Sequence, residues 1–280
     1  MHACKSGNYG SAAPSAFALG KKAAPQDYAR FEPRNRILAA LPREILSSLL
    51  PHLKLELLPP RKVLYDLDEP VRRACFVEKG LISITAVFAD RSTAEMATMG
   101  REGLVGIGSV LGGEQQALGR YVVPMPTQVL AVDACRLKCA LRESSELRAA
   151  CGAYAHAFFR EVLQTAACNC VHLVEQRCAR WLLTSDDRNN GDTLRLTQGY
   201  LAGMLGVCRS TVTLAAGALQ TAGLIRYHRG AISVLDRPGL ETASCECYRV
   251  IRDQYDRLLA STYDRQLSLV DAPHLSRAFG

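Results

Sequence analysis

No apolar run in the 280 residues reaches the ~18 residues that a membrane-crossing helix needs. The first residues, MHACKSGNYGSAAPSAF, lack the apolar core of a secretory signal. There is no Gly-x-Ser-x-Gly elbow, no His-Glu-x-x-His pair and no phosphate-cradling Walker loop. Internal repeats and low-complexity blocks are missing as well. These absences argue against a membrane span, a secreted protein and the commonest hydrolase, zinc-protease and nucleotide-hydrolysing designs. They leave a cytoplasmic, non-enzymatic protein as the expectation.

What is present has a normal soluble balance, 48 % hydrophobic and 22 % charged, in a length sufficient for two ordinary domains. A net charge of +7 suits a polyanionic partner without requiring one. Eleven cysteines, an odd number, are scattered from Cys4 to Cys247. In a reducing compartment they act mostly as small hydrophobes.

The chain divides by texture. Residues 1–35, rich in Ala, Gly, Ser, Lys and Pro, read as a mobile tail. Cys4 stands alone there, too few thiolates for an iron–sulfur cluster. Residues 36–143 form the next unit. Ile37 to Leu58 carries apolar residues at spacings of three and four, predicting a helix that Pro59 and Pro60 stop. From Lys62 to about Leu137, strands and turn signals alternate roughly every ten residues, predicting a small β-barrel or jelly roll.

Residues 144–173 form one long helix with Ser144 or Ser145 as its cap. Leu147, Cys151, Tyr154, Phe158, Val162, Thr165 and Asn169 step by three and four along it. That spacing fits a dimer seam, and it equally fits the core face of a single domain. The helix's length and its place between two modules favour the seam.

Residues 174–240 carry the most specific pattern. Thr197 can cap a short helix, Gln198 to Leu205, which Gly206 breaks; a second helix from about Arg209 to Ala222 ends at Gly223. A helix pair with such a turn is a helix-turn-helix. Ala202, four residues after Gln198, is small where the helices must cross, and Leu201, Leu205, Val212 and Ala215 supply the buried face. The segment Arg209, Ser210, Thr211, Thr213 opens the second helix, where unpaired N–H groups suit a phosphate-rich groove; Gln198 opens the first. Arg can grip the O6 and N7 of guanine, while Ser and Thr can bond bases or phosphates. Then LIRYHRGAISVLD alternates around Arg229–Gly230 as a β-hairpin wing, whose Arg226, His228 and Arg229 would hold the DNA backbone. Between Arg177 and Arg237 there are eight Arg against four Asp, which concentrates the basic excess. Residues 241–280 follow as a helical extension that would brace the winged domain.

In these residues the chain resembles the cyclic-AMP receptor protein/Fnr superfamily of bacterial transcription regulators. The resemblance spans about residues 36–240. It is most specific at LTQGYLAGMLGVCRSTVTLAAGALQTAGLIRYHRGAISVLD and visible again in CFVEKGLISI and GREGLVGIGSVLG. It implies an α+β architecture: an N-terminal cyclic-nucleotide-binding-like β-barrel, a long dimerisation helix and a C-terminal winged helix-turn-helix. The family's base-reading residues fall on Arg209, Ser210 and Thr213. Ser210 stands where cyclic-AMP-type members often carry Glu, Leu214 replaces a second Arg, and Cys208 takes the position of a capping Ser or Thr.

The implied effector pocket comprises Gly106, Gly108, Arg120 and Tyr121. It departs further: Gly106 precedes Ile107 rather than Glu, and Arg120 precedes Tyr121 rather than Ser or Thr. A ribose edge without its carboxylate partner costs roughly 1–3 kcal/mol. Cyclic AMP is therefore not the expected effector, and the small molecule that would fill the pocket is unknown.

Rival chemistry is thinner. Gly106-x-Gly108 lacks the third glycine of a dinucleotide fingerprint. Cys168 and His172 share a helical face, but Cys170 points away and the sequence offers no second ligand pair; packing is the reading for these and for Cys245-x-Cys247, so no metal or cofactor is expected. The expectation is a homodimeric transcription regulator whose partners are double-stranded DNA with a two-fold symmetric operator, a second copy of itself and RNA polymerase. The alternative is an effector-binding or interaction protein that never engages DNA.

Overall fold

The computed structural model describes residues 31–112, 115–189 and 191–270, with side chains in the last helix to residue 257 and at 259. The predicted tail lies outside this range up to residue 30. Its last residues do not: Asn35 is fully buried and caps helix α1 (Arg36–Ala39) by accepting from the backbone N–H of Ile37 and Leu38. The Asn35 amide donates to the carbonyls of Val77 and Gly103, fastening the entry of the chain to the sheet behind it.

The single helix expected over Ile37–Leu58 is a correction. Pro42 precedes α2 (Arg43–Leu49), Pro51 tightens the next turn into a 3-10 helix (Leu50–His52), and β1 (Lys54–Leu58) begins before Pro59 is reached. Proline fixes φ and removes an N–H, so the helical spacing survives while the helix does not.

Seven further strands complete the first domain: β2 (Val63–Tyr65), β3 (Arg73–Lys79), β4 (Ile82–Val87), β5 (Thr93–Met99), β6 (Leu104–Val105), β7 (Arg120–Val122) and β8 (Thr127–Asp133). They form two antiparallel four-stranded sheets, ordered β1-β8-β3-β6 and β2-β7-β4-β5. Buried Phe76, Leu104 and Leu130 from one sheet and Ile82, Ile84 and Met99 from the other share one core. The architecture is thus a jelly-roll sandwich rather than a closed barrel. The glycine-rich stretch contributes β6 and a short helix, α3 (Ile107–Leu111), entered through Gly106 at φ +85°.

Asp133 caps α4 (Ala134–Glu143) and Ser144 caps α5 (Ser145–Val171). At 27 residues α5 is about 40 Å long. The break at His172–Leu173 leads to α6 (Val174–Asn189) and then to the C-terminal module: β9 (Leu194–Arg195), α7 (Gln198–Leu205), α8 (Arg209–Thr221), β10 (Ile225–His228), β11 (Ala231–Val234) and α9 (Arg237–Ala243). Trp181, Leu201, Leu205, Val212, Leu219 and Ile232 build its separate core. The last helix, α10 (Cys247–Val270), spans both cores. Tyr248 packs into the C-terminal one, while Ile251, Tyr255 and Leu259 pack with Tyr154 of α5. The extension thus braces the long helix as well as the winged domain.

The face of α5 turned to its own chain is the expected seam. Leu147, Cys151, Tyr154, Phe158 and Thr165 are buried within the protomer, Val162 is partly buried, and Asn169 alone is exposed. The stripe turned outward is Gly152, His156, Phe159, Leu163, Ala166 and Cys170, again stepping by four and three. Phe159 is 62 % and Leu163 53 % exposed.

Candidate nucleic-acid interface

Thr197 caps α7 by accepting from the N–H of Tyr200. Gly206, at φ +63°, closes the helix, and the N–H of Val207 returns to the carbonyl of Ala202. A left-handed residue here costs an L side chain about 1–2 kcal/mol, so glycine sharpens the turn. Helices α7 and α8 meet at 103°, within the helix-turn-helix range. The Arg177 guanidinium donates to the carbonyl of Leu205, tying the end of α7 to α6.

Cys208 holds the N-cap position of α8 without capping it. Its sulfur lies 3.1 Å from the Ser210 hydroxyl and 2.9 Å from that of Thr211. Those hydroxyls, Ser210 first, draw its thiol down to about 7. Arg209, Ser210 and Thr213 are exposed and Thr211 is partly so. The Thr213 hydroxyl lies between the Gln198 side chain (3.2 Å) and the carbonyl of Arg209 (3.0 Å), so the first turn of α8 is tied to the start of α7.

The wing is an antiparallel hairpin in which Ile225 pairs with Val234 and His228 with Ala231. Arg229 and Gly230 both have positive φ, 47° and 75°, as a primed two-residue turn requires. Arg226, His228 and Arg229 all project to solvent. The Tyr227 hydroxyl reaches back to the carbonyl of Leu196, fixing the hairpin against the strand before α7. A cleft of 370 Å³ results, lined by Thr197, Gln198, Arg209, Tyr227, Arg229 and Gly230. Gln198, Arg209 and Arg229, which are far apart in sequence, share its wall.

Sequence reasoning missed two residues of the cleft. Thr197 and Tyr227 line the cleft, yet they carry only ordinary capping and strand signals. Leu214, 74 % exposed, sits one turn beyond Arg209 and Ser210 on the open face of α8. The sequence reading names it as the replacement of a second Arg, and its exposure fits an apolar residue out of phase with Val212 and Ala215.

The basic excess also shrinks. Arg177 and Arg180 are buried, Arg188 is buried against Glu102 and Glu161, and Arg237 pairs with Asp186 and Asp187. Arg195, Arg209, Arg226 and Arg229 remain exposed on the module.

Among the described residues, the four expected at an effector pocket make separate contacts. Tyr121 is buried with its ring edge-on to Tyr65, Gly106 starts α3, Gly108 lies against Leu118, and Arg120 pairs with Asp66. A 590 Å³ cavity opens nearby among Glu56, Lys62, Tyr65, Arg72 and Arg73, and none of the four lines it.

The C-terminal module is docked on the jelly roll. Glu95 of β5 is buried and accepts from the Ser83 hydroxyl (2.6 Å) and the indole N–H of Trp181 (2.8 Å). Burial pushes its carboxyl up to about 7, against the two hydrogen bonds and nearby Arg180. Gly203 of α7 packs so near Thr93 that a Cβ would lie 2.8 Å from its hydroxyl.

A capped helix pair, a glycine turn and a basic wing on a jelly roll with a long connecting helix define a winged helix-turn-helix, DNA-binding transcription regulator. Residues 176–243 match the family model of the Crp-like helix-turn-helix domain. The chain thus carries a Crp-like helix-turn-helix domain, and its overall fold is similar to that of Crp/Fnr regulators.

The fold is similar to that of FixK2 from Bradyrhizobium japonicum, with 18 % identity, 69 % of this chain and 98 % of that one covered, and a TM-score of 0.59. It is also similar to that of CLP from Xanthomonas campestris, described as a c-di-GMP-responsive global regulator. There the identity is 17 %, the coverage 69 % and 99 %, and the TM-score 0.57. TTHB099 of Thermus thermophilus, a transcriptional regulator of the CRP family, matches at 16 % identity, 68 % and 96 % coverage, and a TM-score of 0.57. No curated protein matches the chain in sequence.

Proposed function

We propose that the chain is a homodimeric, cytoplasmic, sequence-specific regulator, not an enzyme, that reads a two-fold symmetric operator with α8 and passes the outcome to RNA polymerase. The observation that carries this reading is the cleft that sets Gln198, Arg209 and Arg229 on one wall. Arg209 enters the major groove at the start of α8 and grips guanine, with Ser210 and Thr213 beside it and the Leu214 side chain free to meet a thymine methyl. Gln198, Thr211, Arg226, His228 and Arg229 hold phosphates and fix the register.

The dimer forms through the outward stripe of α5, centred on Phe159 and Leu163. Two such subunits place their recognition helices about one DNA turn, ~34 Å, apart. The jelly roll takes an effector other than cyclic AMP, because Ile107 supplies no carboxylate for a ribose and Arg120 is already committed to Asp66.

Operator selection from genomic fragments, followed by fluorescence anisotropy, tests the reading. Arg209→Ala should weaken the selected site by roughly 10- to 100-fold and relax one base position, a loss of about 1–3 kcal/mol. Arg226→Ala should weaken all sequences alike and lower the salt slope by about one. Full, unaltered specificity in Arg209→Ala would sink the recognition assignment.

A further inference from the structure

Four side chains that the sequence separates into two pairs come together where α5 ends and α10 begins. Cys168 lies in the last turn of α5, and His172 follows the helix, its N–H returning to the carbonyl of Cys168. Cys245 occupies the turn before α10, and Cys247 is that helix's first residue. The three sulfurs and one imidazole nitrogen all lie within 4.8 Å of one another. The sulfurs of Cys168 and Cys245 are 3.5 Å apart, and the sulfur of Cys247 is 3.6 Å from Nδ1 of His172.

We propose that Cys168, His172, Cys245 and Cys247 form a tetrahedral site for one thiophilic divalent metal ion, and that its natural occupant is zinc.

Geometry and chemistry converge on this. The 3.5 Å gap is far too wide for a disulfide, whose sulfurs sit about 2.05 Å apart. It is near the ~3.8 Å edge of a tetrahedron built on ~2.3 Å zinc–sulfur bonds. Four ligand atoms this tightly grouped enclose a single ion, whereas an iron–sulfur cluster needs its thiolates spread around several irons. Three thiolates and one imidazole are a structural zinc set.

The surroundings complete the site. Nε2 of His172 lies 3.2 Å from a Glu246 carboxylate oxygen, which would fix the tautomer that leaves Nδ1 free to ligate. The Gln164 amide donates to the Cys247 sulfur at 3.0 Å. Three thiolates and a dication leave one negative charge. The buried guanidinium groups of Arg177 and Arg180 lie within electrostatic reach of the thiols, and the Nε of each has no hydrogen-bond partner among the described residues. Cys168, Cys245 and Cys247 form a small buried cluster of their own, separate from both domain cores.

The site straddles the His172–Leu173 break between α5 and α6 and pins the start of α10 to it. Its ion would act as a staple at the joint between the long helix and the DNA-binding module.

The test uses the full chain, purified reduced and without chelator. Elemental analysis should find about one zinc ion per chain. Cobalt substitution should give the intense visible bands of a tetrahedral thiolate site. Cys168→Ser and Cys245→Ser should each abolish both, while Cys170→Ser, an exposed cysteine two residues from Cys168, should keep both. Glu246→Gln should weaken metal affinity by about 10- to 100-fold while leaving the stoichiometry intact at saturation. Circular dichroism separates loss of metal from loss of fold. The proposal is overturned by wild-type protein that holds no metal after dialysis against buffer containing zinc, by an octahedral cobalt spectrum, by bound iron with sulfide, or by a Cys170→Ser variant that loses the ion.

Discussion

Glu95 shows how much a single side chain can carry at the junction of the two domains. Its carboxyl is buried between Ser83 and Trp181, and burial lifts it from 4.5 to about 7. A carboxyl raised in this way holds its proton more tightly in the folded chain than in the unfolded one. Its contribution to stability is complete below about pH 4.5, falls as pH rises, and is gone once pH has passed about 7. The span is on the order of 3 kcal/mol. Glu95→Gln keeps an acceptor for the indole and a partner for the serine but has no proton to lose. Urea unfolding between pH 4.5 and 8 should therefore show a flatter pH dependence in this variant than in wild type. Identical slopes would remove Glu95 from the account.

At the scale of elements, the proposed dimer rests on α5. Its apolar residues run along two faces. One holds Tyr154 and Phe158 against the jelly roll and α10, and the other leaves Phe159 and Leu163 in solvent. Residues already buried inside a protomer cannot form an interface, and an exposed heptad-like stripe is unfavourable without a partner. Phe159→Glu should convert the dimer to a monomer by light scattering while far-ultraviolet circular dichroism stays unchanged. Val162→Ala, on the partly buried flank, should leave the dimer mass intact. A dimeric Phe159→Glu protein would place the contact elsewhere.

The elements also show what was legible and why. The helix-turn-helix and wing could be read almost to the residue because their signals are local: a capping threonine at 197, left-handed positions at Gly206 and Gly223, and an Arg229–Gly230 turn. The strands of the jelly roll announced themselves through alternation and turns. Two errors share one cause. Spacing of three and four persists through Ile37–Leu58 although prolines interrupt the hydrogen bonding. The same spacing marks α5 without saying which of its two apolar faces meets the core.

Across the whole molecule, one ionic cluster joins the parts. Arg188 of α6 pairs with Glu102 (2.6 Å) from the turn after β5 and with Glu161 (3.2 Å) of α5, while the Tyr255 hydroxyl of α10 donates to Glu161 at 2.7 Å. All three charged groups are buried. Such a cluster contributes little net stability when intact but is costly to break, because a removed partner strands a buried charge. Arg188→Met would leave two facing carboxylates and should destabilise the chain by about 3–5 kcal/mol in urea unfolding. A change below about 1 kcal/mol would show that this cluster is not what holds the module.

The sequence by itself determined the order of the parts, the winged helix-turn-helix and the exposed arginine that opens its second helix, because caps, turns and alternation act over a few residues. The tertiary structure alone decided the rest. It chose the inward face of α5, withdrew Arg177, Arg180 and Arg188 from the surface, and brought Cys168 and His172 to Cys245 and Cys247. Periodicity specifies that a face exists, but which partner covers it depends on packing between segments far apart in the chain. No local pattern encodes a meeting across more than seventy residues.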